Sequence, residues 1–205
     1  MKITKELIDI LKNYSVINSS ILFKPGNIIS TISPLKTIVS LSKIDNEITK
    51  EFAIYDLNEF LGILSILEDS IAEFTDTQII IKSNRKTIKY TFANPSTIVC
   101  APYKEILIPE DDVITQLKMN YSEFNNIFKA SGILHTKDIV ISGDSGNVVV
   151  CIGDIKNKTS SSYSVTLEPM KDFSTSFRRV FDIENFKVLN RDYVITIPNR
   201  NLIEF

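Results

Sequence analysis

The chain has 205 residues, 43% of them hydrophobic and 23% charged, with a formal net charge of −2. It has enough apolar material for a packed core, which excludes global disorder, and the charge excludes a generally basic nucleic-acid binder while leaving room for a basic strip on one face. Cys100 and Cys151, far apart, give no disulfide framework and fit a reduced intracellular protein; residues 1–14 are charged throughout, unlike a signal peptide, and no apolar run approaches the roughly 20 residues of a membrane span.

Residues 2–13 read as a helix: Thr4 is a candidate cap, Leu7, Ile10, Leu11 and Tyr14 form the apolar face, and Lys5, Asp9 and Lys12 share another. Residues 20–24 and 27–32 are predicted strands around the Pro25-Gly26 turn, and 36–43 alternate like a half-buried strand. Residues 52–55 are apolar and β-prone. Asp56 then caps a helix, with Glu59 at capping-box spacing and Leu57, Phe60, Leu61 and Leu64 at i, i+3, i+4 and i+7. The acids Glu68, Asp69, Glu73 and Asp76 come next, and then predicted strands at 78–82, 86–92 and 97–101. Residues 102–112, with Pro102, Pro109 and the run Glu110-Asp111-Asp112, read as linker.

The second half opens again with a helix, 121–131, whose apolar face is Phe124, Ile127 and Phe128. A hairpin over 138–152, a polar loop at 156–162 and a strand at 163–167 come next, then a strand at 177–181 leading into a short helix over 182–189. Predicted strands at 193–197 and 202–205 close the chain.

The halves match in order. Glu6-Leu7 and Ile10-Leu11-Lys12 in the first helix answer to Glu123-Phe124 and Ile127-Phe128-Lys129 in the third. Asp56-Leu57-Asn58-Glu59-Phe60 answers to Asp182-Ile183-Glu184-Asn185-Phe186, each after a strand. This predicts a duplicated unit of about a hundred residues, two helices on one side of an antiparallel sheet, an α+β arrangement.

Catalytic candidates are few. His135, the only histidine, comes directly after a helix and reads as a turn residue. The sequence has no zinc-spaced cysteine pair, Gly-rich phosphate loop or nucleophile elbow. Glu110, Asp111 and Asp112 read as a solvated loop, so neither a metal nor a cofactor is expected. The bases Lys2, Lys5, Lys12, Lys118, Lys129, Lys187 and Arg191 lie on or beside predicted helices. They are read either as solvated positions or, if the helices share a face, as contacts to a phosphate backbone.

Residues 53–65, AIYDLNEFLGILS, resemble the T-even-type bacteriophage sliding clamps, the processivity factors of the viral DNA polymerases. The resemblance extends to Leu11-Lys12-Asn13 with Ile17-Asn18-Ser19, to Asn94-Pro95-Ser96-Thr97-Ile98-Val99 with Ala101-Pro102, and to Tyr163-Ser164-Val165-Thr166-Leu167. It implies a DNA-clamp fold with two similar domains, 1–104 and 117–205, joined by a linker at 105–116, the second stopping one strand short of the family pattern at Phe205. It implies a non-catalytic head-to-tail homotrimer, a ring around duplex DNA in the cytoplasm of an infected bacterium, serving a replicative polymerase and loaded by a clamp loader. The seven bases above would then face the hole. Ile106, Leu107 and Ile108 would meet Thr159, Ser161 and Tyr163 of a neighbouring copy, and Leu107, Ile108, Val113 and Ile114 would border the partner pocket. Two rival readings stand beside this one: a two-domain viral structural protein, and a carboxylate-dependent nuclease built on Glu110, Asp111 and Asp112.

Overall fold

The computed structural model describes residues 3–67, 71–102, 106–144, 146–157 and 159–205. The chain divides into two compact units, Met1–Glu105 and Ile106–Phe205.

In the first unit, helix α1 (Lys5–Ile17) starts where the Thr4 side chain accepts from the Leu7 N–H, and it buries Leu7, Ile10, Leu11, Tyr14 and Ile17. Strands β1 (Ile21–Phe23), β2 (Gly26–Ile32), β3 (Val39–Ile48) and β4 (Phe52–Ile54) come after it. The pairs β1–β4 and β2–β3 are antiparallel. Phe23 lies opposite Phe52, so their rings stack at 4.5 Å, and Phe74 and Phe92 each bring a ring to 5.0 Å from Phe52. Helix α2 (Leu57–Leu64) begins at Asp56, whose carboxylate accepts from the Glu59 N–H, and it buries Leu57, Phe60 and Leu64 while packing on α1. A three-stranded antiparallel sheet runs β5 (Ile71–Phe74), β6 (Gln78–Ser83) and β7 (Lys86–Thr91).

The second unit starts with β8 (Val113–Met119) and α3 (Tyr121–Leu134). A reciprocal capping box opens α3: Asn120 accepts from the Glu123 N–H and Glu123 from the Asn120 N–H. His135 ends the helix in the left-handed conformation, φ 53°, with its N–H bonded to the Ser131 carbonyl. Then come β9 (Asp138–Asp144), β10 (Asn147–Gly153), β11 (Ser162–Leu167), β12 (Phe177–Asp182) and β13 (Tyr193–Pro198). The four-stranded sheet has order β11-β10-β9-β12, and β13 pairs with β8. The core gathers Leu117, Phe124, Ile127, Ile141, Val150 and Ile195.

Several sequence expectations change. Residues 113–116, expected in the linker, begin β8, because Thr115, Leu117 and Met119 alternate inward and pair with β13. The helix expected over 182–189 is a single 3-10 turn, Ile183–Asn185: Asp182 caps it, and Phe186 then drops into the core instead of continuing the helix. The second unit thus has one α-helix among its described residues, not the two expected. Residues 97–101, expected as a strand, instead begin within a 3-10 turn, Pro95–Thr97, capped by Asn94 with Pro at its start. At 202–205 there is one antiparallel bridge, Thr196 to Glu204, in place of a full strand. The Phe205 ring nonetheless packs on Phe124, Phe186 and Tyr193.

Candidate nucleic-acid interface

Amphipathic helices present their lysines by default: burying one stripe leaves the opposite stripe in water. On α1 the exposed stripe carries Lys5, Asp9, Lys12 and Val16, so a carboxylate stands in water between the two lysines. Lys5 and Lys12, two turns apart, are about 10 Å apart along the axis. The neighbouring face of α2 exposes Asn58, Glu59 and Gly62, so the helical layer of this unit is mixed in charge rather than basic. Lys2 lies outside the described residues.

In the second unit the exposed stripe of α3 is Ser122, Asn126, Lys129 and Ile133. The repeat matches Lys12 with Lys129 and the exposed Val16 with the exposed Ile133. Lys118 is exposed on β8 opposite Val194. Arg191 is exposed just before β13, and the next residue, Asp192, accepts from the Tyr121 N–H at 3.0 Å. The structure therefore brings Lys118 and Arg191 to the corner where β8 enters α3, beside the carboxylates of Glu123 and Asp192. A carboxylate there is favoured by the positive end of the helix. Lys187 is half-buried beyond the 3-10 turn and adds to the lowering of the Glu184 pKa, which comes first from the hydrogen bond and charge of Lys137.

Of the residues assigned by resemblance to subunit contact, Ile106 and Leu107 are exposed and Ile108 is half-buried. Thr159 is held by Asn157, with Oγ1 donating to Oδ1 at 2.7 Å, and Ser161 is exposed. Tyr163 is half-buried on β11, an edge strand, and packs on its own core. Val113 and Ile114, assigned to a partner pocket, are half-buried on β8, and Ile114 packs on the core.

The acidic run Glu110–Asp112 is a 3-10 turn in which Asp112 pairs with Arg200 at 2.6 Å. Among the described residues no group of three or more His, Cys, Asp or Glu is placed to hold a metal ion. No helix among them is long and apolar enough to cross a membrane.

One basic feature lies away from every helix. The β6–β7 hairpin carries Lys82, Arg85, Lys86 and Lys89, with no acid between them, and all four are exposed. Its signal in the sequence is plain, four cations within eight residues, but it sits in strand rather than helix.

The fold, two units each backing antiparallel strands with helix, is that of the DNA clamps. The proliferating cellular nuclear antigen of Entamoeba histolytica aligns with 93% of this chain and 84% of its own at a TM-score of 0.67, with 14% identity, a likeness of fold alone. A family model described as DNA polymerase processivity factor matches residues 4–100. The sliding clamp of Escherichia phage RB69 is 35% identical, covering 96% of this chain and 87% of its own, and that of Enterobacteria phage T4 is 33% identical with the same coverage. The chain belongs to the sliding-clamp family of DNA polymerase processivity factors.

Proposed function

We propose that the protein works as a non-catalytic homotrimeric ring, closed head to tail around duplex DNA in the cytoplasm of an infected bacterium. It is opened by a clamp loader and holds the replicative polymerase to its template. The observation that carries this reading is the likeness to phage sliding clamps along 96% of the chain.

A topological tether does not need tight binding. The sparse lysines of α1 and α3, each helix also carrying a carboxylate, suit a weak, sequence-independent contact that allows sliding. In this reading Lys2, Lys5, Lys12, Lys118, Lys129, Lys187 and Arg191 face the DNA. Ile106, Leu107 and Ile108 meet Thr159, Ser161 and Tyr163 of the next copy, and a heterologous contact of this kind closes into a ring when the rotation allows. The exposure of Ile106 and Leu107 and the charge-free edge of β11 support that assignment. Polymerase and loader peptides dock beside Leu107, Ile108, Val113 and Ile114.

The test is primer extension on a primed circular template with polymerase and loader. The wild-type protein should lengthen the products. Replacing the seven bases by Gln should shorten them while leaving the thermal unfolding curve in place. Wild-type product lengths from that variant would remove the DNA-facing assignment. No lengthening by the wild-type protein would overturn the function.

A further inference from the structure

The densest positive charge among the described residues belongs to the β6–β7 hairpin, not to the helices. Lys82, Arg85, Lys86 and Lys89 lie on two paired strands and the turn between them, in a chain of net charge −2. The turn is tight: Ser83 pairs with Lys86, and Asn84 takes φ 50°.

Two of the four cations are engaged. Lys82 pairs with Glu73 at 2.8 Å, both side chains about half-exposed, and Lys86 donates to the Ile66 carbonyl at 3.1 Å. Arg85 and Lys89 have no ion-pair or hydrogen-bond partner among the described residues. Asp76, the other acid of this sheet's loops, pairs with Lys50 instead. Cross-strand register puts Lys82 beside Thr87 and Lys89 beside Ile80 on one face, so the Lys82 and Lys89 side chains leave the sheet on the same side.

We propose that this hairpin is a second phosphate-contacting surface, with Arg85 and Lys89 as its main contacts to a nucleic-acid backbone. The arrangement fits a polyanion better than a single anion. The charges are spread along a rigid hairpin on long solvated stems, not converged on one pocket. Arg85 adds a planar fork suited to phosphate oxygens, and Lys89 a point charge. That the polyanion is nucleic acid rests on the clamp reading; the charge itself does not.

The probe is a short labelled DNA duplex, with a single strand of the same length in parallel, titrated with the full-length protein at salt concentrations rising from about 50 mM. Arg85→Gln with Lys89→Gln should lower the log–log salt slope by about 2, since each lost phosphate contact removes about 0.9. Lys43→Gln with Lys156→Gln, the same charge change at other exposed positions, should leave the slope unchanged. The strand form whose slope falls identifies the ligand. Polyglutamate, titrated the same way, is the rival probe.

Equal slopes in the hairpin variant and the wild type would overturn the proposal, as would no wild-type binding at the lowest salt. A hairpin effect seen only with polyglutamate would also overturn it, and would mark the surface as a site for acidic protein segments. The acids Glu68 and Asp69 lie outside the described residues. Failure here leaves the primer-extension result untouched, so the two readings fail separately.

Discussion

The ring of Phe177 lies across Gly143, its cross-strand partner on β9. A Cβ built on that glycine would stand 2.7 Å from Phe177 Cζ and 2.8 Å from Phe173 Cζ. The space above the glycine is therefore filled by two aromatic rings, and one of them, Phe177, is buried. Gly143→Ala should force the buried ring aside and destabilise the second unit by about 1–3 kcal/mol. Thermal unfolding measures it, and Phe177→Leu in the same chain should recover part of the loss. An unchanged Tm for Gly143→Ala would contradict this packing.

Tyr14 predicts an alkaline dependence. Its hydroxyl is 3.2 Å from the Ile29 carbonyl oxygen and 2.9 Å from Ser42 Oγ. A carbonyl only accepts, so Tyr14 donates to Ile29 and accepts from Ser42. Burial raises the Tyr14 pKa, and hydrogen bonds from Ser42 and Ser40 offset part of that rise. Burial is also the first cause of the raised values of Tyr90 and Tyr193. The folded chain therefore holds these protons more tightly than the unfolded one. Their contribution to stability is intact below about pH 10 and is lost as pH rises through the folded values. Tyr14→Phe should cost about 1 kcal/mol at neutral pH. It should then lose less than the wild type when denaturant unfolding is repeated above about pH 10. Parallel losses would show that Tyr14 is not the responsible group.

Ile106 tests the assembly. An exposed isoleucine replaced by aspartate costs its own unit little, but in the proposed subunit contact the new carboxylate would be buried without a partner. Ile106→Asp should shift the mass seen by analytical ultracentrifugation toward monomer at micromolar concentration. A mass equal to that of the wild type would place the subunit contact elsewhere.

Much of the fold is legible where one face of an element is apolar and its end is capped. Leu57, Phe60 and Leu64 mark α2 behind Asp56, and Phe124 and Ile127 mark α3. The hairpin of β9 and β10 shows in its alternation around the turn at Gly146. The elements that escape a sequence reading are those whose local chemistry points elsewhere. Acidic residues mask β5, although Ala72 faces inward between Ile71 and Glu73. Pro109 and three acids hide the start of β8, whose pairing with β13 spans most of the second unit and cannot be read locally. Asp182 resembles Asp56 as a helix start, but the conformation of the chain beyond it is set by the burial of Phe186, a tertiary contact. The lysines of α1 and α3 fall off the apolar stripe by periodicity alone. The hairpin cations have no helical period to single them out, and their spacing along two strands emerges only once those strands are paired.

His135 ends α3 with its backbone fixed in the left-handed region. It is also the only imidazole in the chain. Its two ring C–H protons give signals that need no assignment to a residue, at the tip of the helix that carries Lys129. NMR on the native chain can watch that helix end respond to added DNA, with no label introduced and no residue changed.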